Sequence, residues 1–76
     1  CGPCRMMPPI LEEVAKSVGT KAHIIKIDVD KNPSVSQFYG IQSIPSILLF
    51  KKGEVVWRNT GVTPASVLID AISQNL

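Results

Sequence analysis

The chain opens on two cysteines three positions apart, Cys1 and Cys4, with Gly2 and Pro3 between them. Thiols at this spacing serve one of two chemistries: they cycle between dithiol and disulfide, or they hold a metal. In the first, a thiolate attacks a disulfide sulfur, and a second thiol close by resolves the mixed disulfide. In the second, a closed tetrahedral zinc site needs four ligands, from two such pairs or from one pair with histidines. This chain offers one pair and one histidine, His23, inside an apolar run. A metal would have to be shared between two chains, so exchange is the reading the pair supports best, and neither metal nor bound cofactor is expected. His23 reads as an ordinary strand residue. A bridge across so short a loop barely restricts the unfolded chain, which makes the pair chemical in purpose and not a structural staple.

A reactive thiolate needs a setting that favours it, and the residues after Cys1 supply one. Met7, Ile10, Leu11, Val14 and Val18 recur at helical spacing, with Glu12, Glu13 and Lys16 on the other side. That pattern predicts a helix from about Pro3 to Val18, stopped near Gly19. Cys1 then stands at a helix N-terminus, where unpaired N–H groups and the positive end of the dipole favour an anion. Cys4 follows one turn on. Pro3 limits the backbone between the thiols, Gly2 keeps side-chain bulk away from an approaching substrate, and Arg5 adds a positive charge. Pro8 and Pro9 fall inside the helical pattern, and Pro9 predicts a kink there.

The remaining elements must hold that helix. Ala22 to Val29 is rich in β-branched residues and has the length of a strand. Asp30 to Pro33 reads as a turn, and Ser34 to Tyr39 as a short helix closed by Gly40. Ser46 to Phe50 reads as a second strand, turned by Lys51-Lys52-Gly53-Glu54 into a third, Val55 to Asn59. Thr63 as N-cap and Pro64 at the first helical position predict a last helix with Val67, Leu68, Ala71 and Ile72 on its apolar face. The order helix, strand, helix, strand, strand, helix predicts one α/β domain over residues 1–76, a sheet covered by helices.

Composition narrows the function classes. The chain has 76 residues, 45% of them hydrophobic, and a formal net charge of +2. That suits one small globular domain with a modest core. The charge is too small and too scattered for nucleic-acid binding, and Lys51-Lys52, the one basic pair, falls in a turn. No apolar run approaches the roughly 20 residues of a membrane span, so no membrane partner is expected. Nor does the chain open with the basic and then apolar stretch of a leader.

The run Cys1-Gly2-Pro3-Cys4-Arg5-Met6-Met7, followed by Pro9-Ile10-Leu11, resembles the active-site helix of the thioredoxins. Three further stretches resemble the same family in the same order. Lys26-Ile27-Asp28-Val29-Asp30 with Asn32-Pro33 is similar to a strand and its following turn. Tyr39-Gly40-Ile41 leading to Ser43-Ile44-Pro45-Ser46 is similar to the approach to the family's cis-proline, and Phe50-Lys51-Lys52-Gly53-Glu54 to its hairpin. The resemblance implies a thioredoxin-like three-layer sandwich. It implies Cys1 as the attacking thiol and Cys4 as the resolving one, supported by Gly2, Pro3 and Lys26. Ile44-Pro45 would be a cis peptide that docks the substrate chain, with Gly61 lining the same groove. Read without the family, Pro45 is a strand-initiating proline, Gly61 a turn glycine and Lys26 an exposed strand lysine. The implied activity is a thiol–disulfide oxidoreductase, a protein disulfide reductase of cytoplasmic type in electron transport and redox homeostasis. Its partners would be disulfide-containing proteins and a reductase that donates electrons. A periplasmic reductase would read the same.

The chain also departs from the family's pattern. The resemblance implies a truncated fold, because the family's first strand, helix and second strand have no counterpart, nor does the tryptophan before the first cysteine. The family's buried acid lies in that part, and neither Asp28 nor Asp30 stands at its position, so slower exchange is expected. The apolar run 22–29 then lacks its family partners and leaves its edges open. A rearranged sheet, a swapped or edge-paired homo-oligomer, or a poorly folded fragment is expected. The alternative function is a catalytically impaired thioredoxin-fold fragment that acts as a binding or assembly module.

Overall fold

Helix α1 spans Gly2–Val18 and carries the two cysteines at its head. Here and throughout, the structure is a computed structural model that describes all residues from Cys1 to Leu76. Cys1 caps the helix, and Gly19 ends it with a φ of 59° and an N–H that reaches the Ala15 carbonyl. A positive φ is open to glycine at little steric cost, which explains a stop at this residue. Met7, Val14 and Val18 lie along one stripe and are buried; Ile10 and Leu11 flank it half-buried. A single 3₁₀ turn, Gly19–Lys21, follows.

That stripe packs on the last helix, α3, Ala65–Gln74. Met7, Val14 and Val18 form one buried cluster with Ala65, Leu68 and Ile72. Each large apolar side chain so buried is worth about 1.5–3 kcal/mol relative to exposure, so this pairing is what holds the dithiol helix in place. The sequence placed Thr63 at the N-cap of α3 and Pro64 inside it. Instead Pro64 is the cap residue, with an extended backbone, and the helix begins one residue later. Thr63 is fully buried. Its hydroxyl donates to the Gly61 carbonyl at 3.0 Å and accepts from Asn59 Nδ2 at 2.9 Å. The hydroxyl is thus engaged backwards, with the loop before it, and not forwards with the helix. Val67, expected on the apolar face of α3, is exposed, and Ala65 takes a place in the core.

Strands β1, Ser46–Lys51, and β2, Glu54–Thr60, form an antiparallel hairpin. Lys51 pairs with Glu54, which leaves Lys52 and Gly53 as a two-residue loop with φ of 53° and 83°. Two successive positive φ values match the twist of the flanking strands. The register slips between Leu49 and Phe50, so that Val56 has no opposite residue, as in a β-bulge. Ile47, Leu49 and Trp57 turn inward and pack against the α1–α3 cluster. Short helix α2, Pro33–Phe38, precedes the hairpin. Tyr39, just after it, stacks edge-on with Phe50 of β1 at 5.3 Å between ring centroids.

The strand expected over residues 22–29 is not formed. Residues 22–28 carry no regular structure, and the sheet contains β1 and β2 alone. The observed order is therefore helix, helix, strand, strand, helix. A strand exists by virtue of its ladder, and nothing lies alongside this run to accept its N–H groups. Nor is the sheet rearranged, since the run does not cross over to pair with β1. Ala22 and Ile24 lean on the core cluster, while His23 and Ile25 face out. That alternation is strand-like, without the partner. The run ends in a turn built on Asp28, whose Oδ1 accepts the N–H of Asp30 at 2.9 Å. Asn32 Nδ2 returns to the Asp28 carbonyl at 2.8 Å, so Asp28 serves the turn.

Candidate active site

The site begins with the way α1 starts. Cys1 sits just outside the first turn, and its Sγ accepts the Cys4 N–H at 3.2 Å. Ser, Thr, Asp or Asn fills this capping position in most helices; here a sulfur does. Cys1 and Cys4 are joined as a disulfide with their Cα atoms 5.3 Å apart. When the pair is reduced, the same N–H and the helix dipole favour a thiolate on Cys1. The two sulfurs differ in access: Cys1 is exposed and Cys4 half-buried. Pro3 occupies the first turn, where its missing N–H is no loss. A Cβ built on Gly2 would meet nothing within 4 Å. The space at Gly2 is therefore open to an incoming chain and is not required by the fold itself. No group of three or more His, Cys, Asp or Glu side chains is arranged to hold a metal ion.

The second half of the site is the loop before β1. The Ile44–Pro45 peptide is cis. Two hydrogen bonds hold the loop: Ser46 Oγ donates to the Ser43 carbonyl at 2.6 Å, and the Gly61 N–H donates to the Pro45 carbonyl at 2.8 Å. Gly61 has a φ of 87°, the left-handed region where a side chain is strained. Thr63, bonded to the Gly61 carbonyl, in turn fixes Gly61. The Pro45 loop is thereby tied to the end of β2 and to the start of α3.

Of the eight residues assigned to the site from the sequence, five line one groove: Cys1, Cys4, Lys26, Ile44 and Pro45. Lys26 is exposed along it. The other three stand outside its walls. Gly2 and Pro3 are exposed on the helix head, and Gly61 braces Pro45 from behind. Sequence reasoning missed the bracing role of Ser46, Asn59 and Thr63. The serines on both sides of Ile44-Pro45 were a signal for the first. A threonine before a proline reads as a cap, and that reading concealed the other two.

With this geometry in hand, the comparisons with known proteins agree. The Thioredoxin family profile matches residues 1–74. Thioredoxin of Bacillus subtilis is 43% identical over all 76 residues, which correspond to 73% of its own length. A thioredoxin-like protein of Synechocystis sp. is 46% identical over 72 residues, covering 95% of this chain and 69% of its own. Among solved structures, thioredoxin-2 of the malaria parasite superposes with a TM-score of 0.92 at 27% identity, over 97% of this chain and 72% of that one. Chloroplastic thioredoxin z superposes with a TM-score of 0.85 at 34% identity, over 97% of this chain and 67% of that one. A capped dithiol helix, a braced cis-proline loop and a profile match over almost every residue have one explanation: this chain belongs to the thioredoxin family.

Proposed function

We propose that the chain is a thiol–disulfide oxidoreductase that reduces disulfides in proteins through Cys1 and Cys4. The observation that carries this reading is the asymmetric pair at the head of α1: an exposed sulfur that accepts a helix N–H, bonded to a half-buried one. In the reduced protein, the Cys1 thiolate attacks one sulfur of a substrate disulfide. That bond breaks, and the leaving thiolate takes a proton. Cys4, deprotonated, then attacks Cys1 Sγ, and the second substrate thiol departs. Two electrons and two protons pass to the substrate, and Cys1–Cys4 ends as a disulfide. A dithiol donor of the partner-reductase class returns the pair to the reduced state by the same exchange. The backbone of Ile44-Pro45, in the same groove as both sulfurs, docks the substrate chain beside Cys1, and Lys26 lies along the approach. Gly2, Pro3 and Gly61 support this arrangement from outside the groove.

Reduction of a protein disulfide by a dithiol donor, with the chain as catalyst, tests the reading. Cys1→Ser abolishes turnover. Cys4→Ser stalls the reaction as a mixed disulfide, visible by mass spectrometry as one substrate bonded to Cys1. If instead Cys1→Ser leaves the rate unchanged, the dithiol is not the catalyst. A redox titration adds a second check, because an organised site of this family sits near about −270 mV.

A second reading, a binding or assembly module, is favoured by one observation. Only seven apolar residues are buried, a small core for a chain of this length. Under that reading Cys1→Ser leaves partner binding intact.

A further inference from the structure

Thr63 is the one polar residue buried in the chain. Its hydroxyl has no task in the helix it precedes, because α3 takes no side-chain cap bond. Both of its hydrogen bonds run backwards, to Gly61 and to Asn59. A hydroxyl holds one proton and accepts through its lone pairs. The Gly61 carbonyl can only accept, so the Thr63 proton goes there. Thr63 has no exposed surface, so water does not take the remaining place. Any other group that meets Thr63 Oγ1 must therefore donate. Asn59 does so through Nδ2 at 2.9 Å. Its amide oxygen in that place would leave two acceptors competing for one proton.

The direction of this series of bonds matters because of where it ends. Gly61 is held at both of its backbone groups: its carbonyl by Thr63 at 3.0 Å, and its N–H on the Pro45 carbonyl at 2.8 Å. Glycine is permissive over a wide range of φ, so these two bonds are what fix it at a φ of 87°. Asn59 sits on β2, opposite Ile47 of β1. Its bond to Thr63, four positions on, closes a short loop around Gly61. Donation into a hydroxyl also strengthens that hydroxyl's own donation. Asn59 is the outer link of the series and is exposed. None of Asn59, Gly61 and Thr63 lines the groove of the dithiol.

We propose that Asn59 is a positioning residue for protein substrates. Its amide directs the Thr63 hydroxyl at Gly61, and Gly61 then holds the Pro45 carbonyl where the substrate chain docks. This rests on the oxidoreductase reading above and adds a residue that sets its substrate range. A protein disulfide, whose chain docks on Ile44-Pro45, depends on Asn59. A small disulfide, which meets Cys1 alone, does not. An acceptor at position 59 does not serve, however close its shape. A carboxylate either takes the Thr63 proton from Gly61, or turns into water and leaves Thr63 Oγ1 with one partner.

Asn59→Asp and Asn59→Ala test this, because position 59 is exposed and lies outside the buried cluster. Gln74→Ala, which removes an amide hydrogen bond on the surface of α3, is the control. Each chain reduces a protein disulfide and a small organic disulfide, with a dithiol as donor. Amide hydrogen exchange is followed in the same chains. The expected result is a KM for the protein disulfide raised about three- to tenfold in both Asn59 variants, the worth of one hydrogen bond. The kcat stays within about twofold, and the small disulfide is reduced at the parent's rate. Exchange quickens about threefold or more at the Gly61 amide but not in α1, as local opening requires. Gln74→Ala matches the parent throughout. A KM for Asn59→Asp equal to the parent's overturns the proposal, since the shape of the side chain would then suffice. So does an equal loss with both substrates, or quicker exchange throughout α1, since either means a general loosening. A parent chain that reduces neither substrate refutes the oxidoreductase reading, and the proposal with it. An active parent with an unmoved KM in the variants refutes the proposal alone.

Discussion

The core that positions the dithiol consists of one seam, and truncating it should be costly in a way that truncating the groove is not. Leu68 is 4% exposed and sits in the cluster that joins α3 to α1. Leu68→Ala cuts a buried isobutyl side chain back to a methyl and leaves a space that two facing helices cannot fully close, a loss of about 2–5 kcal/mol. Domains are stable by about 0.05–0.15 kcal/mol per residue, and only seven buried apolar residues put this chain at the low end of that range. Leu68→Ala should therefore remove half or more of the stability. Ile25 is as large a residue but 74% exposed. Ile25→Ala should change stability by less than about 0.5 kcal/mol. Urea unfolding followed by far-UV circular dichroism, with the slope held in common, measures both. Equal losses for the two variants, or a loss below about 0.5 kcal/mol for Leu68→Ala, would refute the reasoning. The first outcome would mean that the face of residues 22–29 is already covered in the free chain.

Other consequences are smaller and as direct. Lys52 holds a φ of 53° in the first loop position of the hairpin, where a non-glycine side chain costs about 1–2 kcal/mol and asparagine less. Lys52→Asn should raise the urea midpoint, by an amount equivalent to about 0.5 kcal/mol. Gly61→Ala has room for its Cβ, so its cost is backbone strain alone, about 1–2 kcal/mol, seen as an equivalent fall in the same assay. Thr63→Val keeps the shape and removes the hydroxyl, leaving Asn59 Nδ2 and the Gly61 carbonyl short of a partner. A loss of about 1–3 kcal/mol is expected, with substrate reduction reduced in parallel because the Pro45 loop loses its brace.

How far the sequence revealed this structure depends on how local each signal was. The head of α1, its stop at Gly19 and the hairpin at Lys52-Gly53 were legible because each is set by residues within a few positions of one another. The dithiol was legible for the same reason. Periodicity alone gave the buried stripes of α1 and α3, but not that Val67 faces out and Ala65 in, since the first turn of α3 is placed by the loop before it. Thr63 was misplaced because its partners, Asn59 and the Gly61 carbonyl, lie behind it in the chain, and capping rules look forward. The run 22–29 was misjudged for a deeper reason. Its composition satisfies every rule for a strand, yet a strand needs a neighbour, and composition within the run says nothing about what lies beside it. The cis peptide at Ile44-Pro45 came only with the family resemblance, because most X–Pro bonds are trans and the local residues do not discriminate.

The two halves of the site are held by different anchors, and this bears on how the chain works. Cys1 and Cys4 ride on α1, which is fixed to α3 through Met7, Val14 and Leu68. Ile44 and Pro45 ride on the hairpin, fixed through Ile47 and Leu49 to the same cluster and through Gly61 to the end of β2. Between the anchors lies the groove, whose banks have no backbone bonds across it. The distance from sulfur to cis-proline loop is thus set by one shared apolar cluster and by no direct strap. Elements joined by so few contacts open locally more easily than a cross-braced sheet does. In the disulfide exchange we propose, a substrate disulfide must align with Cys1 Sγ while its chain rests on the loop, so the rate would depend on how well that distance is kept. A variant that loosens the shared cluster, Leu68→Ala, should therefore lose more of its rate with a protein disulfide, whose chain must span both halves, than with a small disulfide, which needs only Cys1. Rates for a small disulfide and a protein disulfide, each with the parent chain and the variant, separate these effects. Equal losses with both substrates would mean that the cluster acts on the thiol itself and not on the spacing of the anchors.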